Sequence, residues 1–269
     1  MTRFDDATAV KRREDGRYQV ELDGGFSFGE ALNGGYLMAT LLRAAVDASP
    51  HTHPVATSAN FLRLAQPGPA EVWVESRKTG RTAATARVSL VQGGHPIVDA
   101  TVTTGTLASD ADPVWSGEPP QLPPVDQCLT FDSGKGDRGF ADRVDMRFDP
   151  AVMGWLDGRP SGRLEQAAHF RLHEDQTPDA FVLALAVDAL PPVVLNLGSY
   201  GWAPTVELTW HMRAEPAPGW LSVHASGRLV SDGWFDEETE VWDSTGRLVA
   251  QSRQIARVGR GKAGVSTDR

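Results

Sequence analysis

One cysteine, Cys128, stands in 269 residues, so no disulfide can form within the chain. Apolar runs are short as well: none reaches 18 residues, and no bilayer-spanning helix or membrane insertion is expected. The segment from Met1 to Arg13 is polar and lacks the apolar stretch of a secretory leader, which makes the cytoplasm the expected compartment. Positive charge is also scarce. Twenty-six Lys and Arg face 35 Asp and Glu, a net charge of -9, and such a surface repels phosphate backbones and anionic headgroups. Nucleic acid and membrane surfaces are therefore excluded as expected partners. What is plentiful is apolar side chain, 41% of the residues, enough to bury a core in one large domain or two modest ones.

The middle of the chain shifts in composition. Between Asp112 and Pro124 lie five of the 18 prolines, which can neither continue a helix nor donate to a β-ladder. An extended connector is expected over 113–145, with Gly134, Gly136 and Gly139 lengthening it, between an N-terminal unit (1–112) and a C-terminal unit (146–258). A polar, frayed tail is expected at 259–269.

Within the first unit Tyr18, Val20 and Leu22 alternate with Gln19 and Glu21, the period of a half-buried strand. Gly34 to Val46 is apolar nearly all round, with Arg43 its one charge, and reads as a buried helix. Strands are expected at 55–64, 70–78, 82–92 and 97–107, separated by turn residues such as Gln66-Pro67-Gly68 and Gly93-Gly94. The second unit repeats this grammar. Thr177-Pro178-Asp179 resembles a helix cap with proline at the first helical position, ahead of the apolar run Ala180 to Ala189. Strands follow at 204–213, 220–230, 234–243 and 247–258. Phe61-Leu62-Arg63 before Gln66-Pro67-Gly68 is mirrored by His211-Met212-Arg213 before Ala217-Pro218-Gly219, and Gly93-Gly94 by Thr245-Gly246. A near-constant offset of about 150 residues is the mark of an internal duplication. The expected fold class is α+β, two antiparallel sheets each wrapped around a central helix.

These residues resemble the double-hotdog acyl-CoA thioesterases, the thioesterase II group and its wider superfamily. The likeness is carried by Leu32-Asn33-Gly34-Gly35-Tyr36-Leu37 and Ser58 to Arg63 in the first unit. In the second it rests on Asp188-Ala189-Leu190-Pro191-Pro192, Pro204 to Thr209 and Gly246 to Gln254. The resemblance implies a duplicated hotdog fold and hydrolysis of acyl-CoA thioesters to free acid and CoA, an activity of lipid metabolism that uses no metal or organic cofactor. A non-catalytic acyl-CoA-binding or lipid-binding protein of the same fold is the alternative. Duplication supplies internally the pairing that single hotdogs gain by dimerising, and a further homodimer stays open.

In that family an aspartate, a hydroxyl residue and a glutamine of the second unit hold a water against the thioester. The resemblance puts Gln254 on the glutamine and Glu207 on the carboxylate, with Ser231 the nearest hydroxyl and Asp232 beside it. A carboxylate within hydrogen-bond reach of water serves as general base while amide and hydroxyl groups fix the geometry. The oxyanion site is expected at Asn33, Gly34 and Gly35, because a helix start exposes unpaired N–H groups and glycine admits a ligand to the backbone. The phosphates of CoA need local basic residues, for which Arg63, Arg77, Lys78 and Arg81 are the candidates.

Other motifs are expected to be bystanders. Gly25-Phe26-Ser27-Phe28-Gly29 matches a nucleophile elbow but lacks the buried strand before it and the helix after it. Glu165, His169 and His173 are spaced for one polar face of a helix, without a further metal ligand of defined geometry. His51 and His53 belong to a loop, and Cys128 has no evident base beside it. A dehydratase needs a histidine–acid pair at the groove, and neither His211 nor His224 supplies one. The tryptophans of the second unit, among them Trp202, Trp210, Trp220, Trp234 and Trp242, read as core or groove wall.

Overall fold

The computed structural model describes residues 2–13, 15–108, 113–130, 139–174 and 176–259. The tail beyond Gly259 and the glycines at 134 and 136 lie outside the described residues. In the first unit a short helix α1 (Arg3–Ala7) leads into β1 (Lys11–Arg12), β2 (Arg17–Leu22) and a small hairpin of β3 (Ser27–Phe28) and β4 (Ala31–Leu32). The helix α2 (Gly34–Asp47) and the long strands β5 (His53–Phe61), β6 (Gly68–Thr79), β7 (Ala83–Gln92) and β8 (His95–Gly105) follow. The second unit holds β9 (Leu129–Thr130), β10 (Val144–Phe148), β11 (Glu165–Leu172), α3 (Ala180–Ala186), β12 (Thr205–Met212), β13 (Leu221–Ser226), β14 (Val230–Ser231), β15 (Trp234–Trp242) and β16 (Leu248–Arg257).

The alternation in β2 buries Tyr18, Val20 and Leu22 and exposes the residues between them, as the period-2 pattern requires. Asn33 caps α2 by accepting the Tyr36 amide at 2.8 Å. Tyr36, Met38, Leu41 and Leu42 are then fully enclosed between the sheet and α3. Each such burial contributes roughly 1.5–3 kcal/mol.

The duplication is visible in backbone detail. Gly68 and Gly219 both stand at φ 118°, and Gly94 and Gly246 at 79° and 80°. The Ile97 carbonyl takes the N–H groups of Leu62 and Arg63, while the Val249 carbonyl takes those of Arg213 and Ala214. The two units join edge to edge through β5 and β12, with Ala59 opposite Leu208. Among the described residues this makes one antiparallel sheet in the order β1-β2-β6-β7-β8-β5-β12-β16-β15-β13-β11-β10-β9, with β14 on β15. It is the duplicated hotdog architecture, with α2 and α3 packed on each other across the seam.

Three local expectations are corrected. The segment carrying Glu165 and His169 is strand β11, not a helical face, because Gln166, Ala168, Phe170 and Leu172 bury at period 2. His169 Nε2 donates to the Pro123 carbonyl at 2.9 Å. The cap of α3 is Asp179 itself, which accepts from Phe181 and Val182, so Pro178 precedes the cap; the helix ends at Ala186, ahead of Pro191-Pro192. The connector is partly structured, since Leu129 and Thr130 add an edge strand to β10, whose own first residue is Val144.

Candidate active site

The start of α2 meets the turn that follows α3. Gly35 N–H donates to Asp188 Oδ2 at 2.8 Å, and Asn33 Nδ2 donates to the Asp188 carbonyl at 2.7 Å and to Oδ2 at 3.1 Å. The glycine pair is required by this approach. A Cβ on Gly35 would stand 2.6 Å from the Ala184 carbonyl oxygen, and one on Gly34 would stand 2.9 Å from Asp188 Oδ2 and 3.0 Å from the Phe61 ring. Asp188 is half-buried. Burial pushes its carboxyl up to about 6, against the opposing pull of the Gly35 and Gly34 amides and of Asn33. The positive end of α2 thus holds a carboxylate of the other unit in ionisable form.

A second polar chain crosses the inner face of the C-terminal sheet. Thr205 Oγ1 donates to Gln254 Oε1 at 2.6 Å, and Gln254 Nε2 donates to Glu237 Oε1 at 2.7 Å. Glu237 Oε2 accepts the Val193 amide at 3.0 Å from the 3-10 turn Val193–Leu197, which begins after Pro191-Pro192. Gln254 and Glu237 face each other in the register of β16 and β15, and both are buried. Burial raises the Glu237 carboxyl to about 7. The Val193 and Gln254 donors lower it, and the charges of Asp188 and Asp236 raise it further.

Of the residues named from sequence, Asn33, Gly34, Gly35 and Gln254 lie on these two clusters. The Gly35 amide is engaged by Asp188 rather than standing open. Glu207 is elsewhere. A register shift between Thr205 and Glu207 leaves Thr205 inward with Ala256 and turns Glu207 outward beside Ile255 and Asn60. There it accepts from Ser58 Oγ at 3.0 Å and Thr209 Oγ1 at 2.7 Å, with the sheet between it and Gln254. Ser231 is exposed on the β14–β15 hairpin opposite Trp234, three residues or about 10 Å along the sheet from Glu237, and Asp232 forms the turn beside it.

The four basic residues do not cluster. Arg63 sits just past Phe61, at the site's end of β5, and donates to the Pro96 carbonyl at 2.8 Å. Arg77, paired with Glu75 at 2.8 Å, lies with Lys78 and Arg81 toward the β6–β7 hairpin. The ladder puts that hairpin six or more residues, about 20 Å or more, from the level of Arg63.

The other motifs are engaged structurally. Ser27 donates to the Gly24 carbonyl at 2.6 Å. His53 Nε2 lies 2.7 Å from Glu215 Oε1 across the seam, and His51 Nε2 3.0 Å from the Gly80 carbonyl. Among the described residues no group of His, Cys, Asp and Glu converges as a metal site. Sequence reasoning passed over Asp188, Thr205 and Glu237. The available signal for Asp188 was its position, a carboxylate closing an apolar helical run directly before Ala-Leu-Pro-Pro.

Comparison with known proteins agrees with this architecture. The acyl-CoA thioesterase N-terminal domain model matches residues 22–105, and the acyl-CoA thioesterase C-terminal domain model matches residues 119–258. An uncharacterized protein of Mycobacterium tuberculosis is 32% identical over 268 residues, 90% of each chain. The thioesterase-like protein TwmA of Talaromyces wortmannii is 26% identical over 320 residues, covering 95% of this chain and 91% of that one. A solved structure from Thermobifida fusca YX, classed as a thioesterase II, is 46% identical and superposes with a TM-score of 0.90 over 97% of this chain and 98% of that one. The acyl-CoA thioesterase II TesB2 of Mycobacterium marinum shares the fold at 21% identity, with a TM-score of 0.75 over 97% of this chain and the whole of that one. With both of its halves matched in order, the chain belongs to the acyl-CoA thioesterase family.

Proposed function

We propose that this protein hydrolyses acyl-CoA thioesters, with Asp188 as general base and Thr205 and Gln254 as the groups that orient the attacking water. One observation carries the reading: a carboxylate is held by the helix start of the other unit, and Thr205, Gln254 and Glu237 form a hydrogen-bonded chain on the inner face of the C-terminal sheet. With its carboxyl near 6, Asp188 is ionised at neutral pH and accepts a proton from water. The water oxygen adds to the thioester carbonyl carbon. Collapse of the tetrahedral intermediate breaks the C–S bond, and the proton taken by Asp188 goes to the departing CoA sulfur. Carboxylic acid and free thiol leave, and Asp188 returns to its ionised form.

Glu207 and Ser231 take no part in this scheme, because one faces outward and the other lies on an exposed hairpin. Arg63 is the candidate that remains for the CoA phosphates, since it stands at the site's end of β5 between the exposed Leu62 and Leu64. The test is release of free thiol from acyl-CoA esters of graded chain length by the wild type, Asp188→Asn and Thr205→Ala. Turnover by the wild type that collapses in both variants supports the assignment. Binding of the esters without turnover at any chain length would overturn it in favour of a non-catalytic acyl-CoA-binding protein.

A further inference from the structure

Glu237 is a carboxylate that hydrolysis does not itself require, and it is only 3% exposed. Burying a charge is costly unless each of its lone pairs is answered, and here both oxygens are engaged, Oε1 by Gln254 Nε2 and Oε2 by the Val193 amide. An ionised carboxylate only accepts hydrogen bonds. The atom of Gln254 that faces Glu237 must therefore be its nitrogen, and the amide oxygen must face Thr205, whose hydroxyl proton it takes.

A glutamine amide next to a hydroxyl alone has two nearly equivalent orientations, because a hydroxyl both donates and accepts. Glu237 removes that degeneracy. With the Thr205 proton committed to Gln254, the Thr205 oxygen presents lone pairs, not a proton, to whatever lies on its other side. For a water that must point one hydrogen at a base and its own lone pair at a carbonyl carbon, this polarity decides whether Thr205 helps or competes.

We propose that Glu237 is a positioning residue of the hydrolytic site: through its carboxylate it sets the orientation of the Gln254 amide and thereby the hydrogen-bond sense of Thr205. The proposal rests on the assignment of Thr205 and Gln254 made above. It also predicts what acid does. A protonated Glu237 donates its O–H to Gln254 Oε1, the amide turns over, Gln254 Nε2 donates to Thr205, and the Thr205 proton is released toward the water. The groups facing Glu237 are the Val193 amide from the 3-10 turn and Gln254 from β16, with the charges of Asp188 and of the adjacent Asp236 opposing its ionisation.

The experiment is a double-mutant cycle in the full-length protein, comparing wild type, Glu237→Gln, Gln254→Ala and the double variant by thiol release and thermal unfolding. If Glu237 acts through Gln254, Glu237→Gln lowers kcat by about tenfold or more in the wild-type background, with KM within about twofold and no loss of melting temperature. The same change in the Gln254→Ala background has no further effect on kcat. An unchanged kcat in Glu237→Gln, or an equal loss in both backgrounds, overturns the proposal. A second measurement does not depend on that variant folding. The acid limb of the kcat profile reflects two ionisations in the wild type and one in Gln254→Ala; an identical limb in both also overturns it. Should Asp188→Asn and Gln254→Ala both retain full activity, the hydrolytic assignment itself fails, an outcome distinct from failure at Glu237 alone.

Discussion

Gly35 donates its amide to Asp188 at 2.8 Å, so the helix start of one duplicated unit holds a carboxylate of the other. Neither unit contains this arrangement alone. A duplicated chain that joins its sheets through β5 and β12 brings α2 and α3 together in a fixed sense, and the carboxylate is the product of that contact.

Asp188→Asn is expected to lower kcat/KM at least 100-fold, the scale of a lost general base, with CoA-ester binding retained. In the wild type kcat/KM should fall as pH drops through about 6, because the base works only when ionised. A pH-rate profile with the thiol assay checks both points, and a flat profile between pH 5 and 7 would exclude Asp188.

Gly35→Ala and Gly34→Ala should separate packing from chemistry. The added methyl at position 35 meets backbone oxygen, which can yield only if the two helices part, at a cost of about 1–3 kcal/mol of stability. At position 34 it meets the Asp188 carboxylate and the Phe61 ring, so activity should fall further than stability does. Chemical denaturation beside kcat for each variant gives the comparison.

Glu207→Ala is expected to leave kcat within about twofold, since the residue faces the outer side of the sheet, whereas Gln254→Ala should reduce it by about tenfold or more. Parallel assays decide it. Equal losses would return Glu207 to the site.

Glu237→Gln should change how stability depends on pH. The folded-state pKa, about 7, is raised above the ordinary 4.5, so the folded chain keeps a proton that the unfolded chain gives up. The stability tied to this group is full below about 4.5 and is lost as pH rises through about 7. The variant has no such titration. Relative to wild type it should therefore gain up to about 3 kcal/mol between pH 5 and pH 8, measured by urea unfolding at both values.

Arg63→Ala is expected to raise KM for CoA esters severalfold, while Arg77→Ala and Lys78→Ala leave it unchanged because they sit toward the far hairpin. Steady-state kinetics at low ionic strength, where phosphate contacts weigh most, is the measurement.

Much of the architecture is legible in the linear chain because it depends on near neighbours. The alternation of Tyr18, Val20 and Leu22 and the paired turns at Gly68 and Gly219 are local, and each took the expected form. The shared 150-residue offset made the duplication readable without any contact being known. The period of β11 was misread because Glu165 and His169 share a face in a strand as well as in a helix; the buried residues between them decide which.

The site was legible only in part. Asn33, Gly34, Gly35 and Gln254 stand in motifs whose own backbone places them, but the carboxylate does not. One bulge at Val206 turns Glu207 from the inner face to the outer, and side-chain alternation cannot reveal a bulge before its partner strands β5 and β16 are in place. Asp188 takes its donors from a helix more than 150 residues earlier, and desolvation there raises its carboxyl against their pull. The sequence by itself determined the repeated unit, most of its strands and its turns, since hydrophobic period and turn chemistry act within a few residues. Tertiary structure decided which acid the helix start holds and which hydroxyl bonds Gln254, because these contacts exist only once distant segments meet.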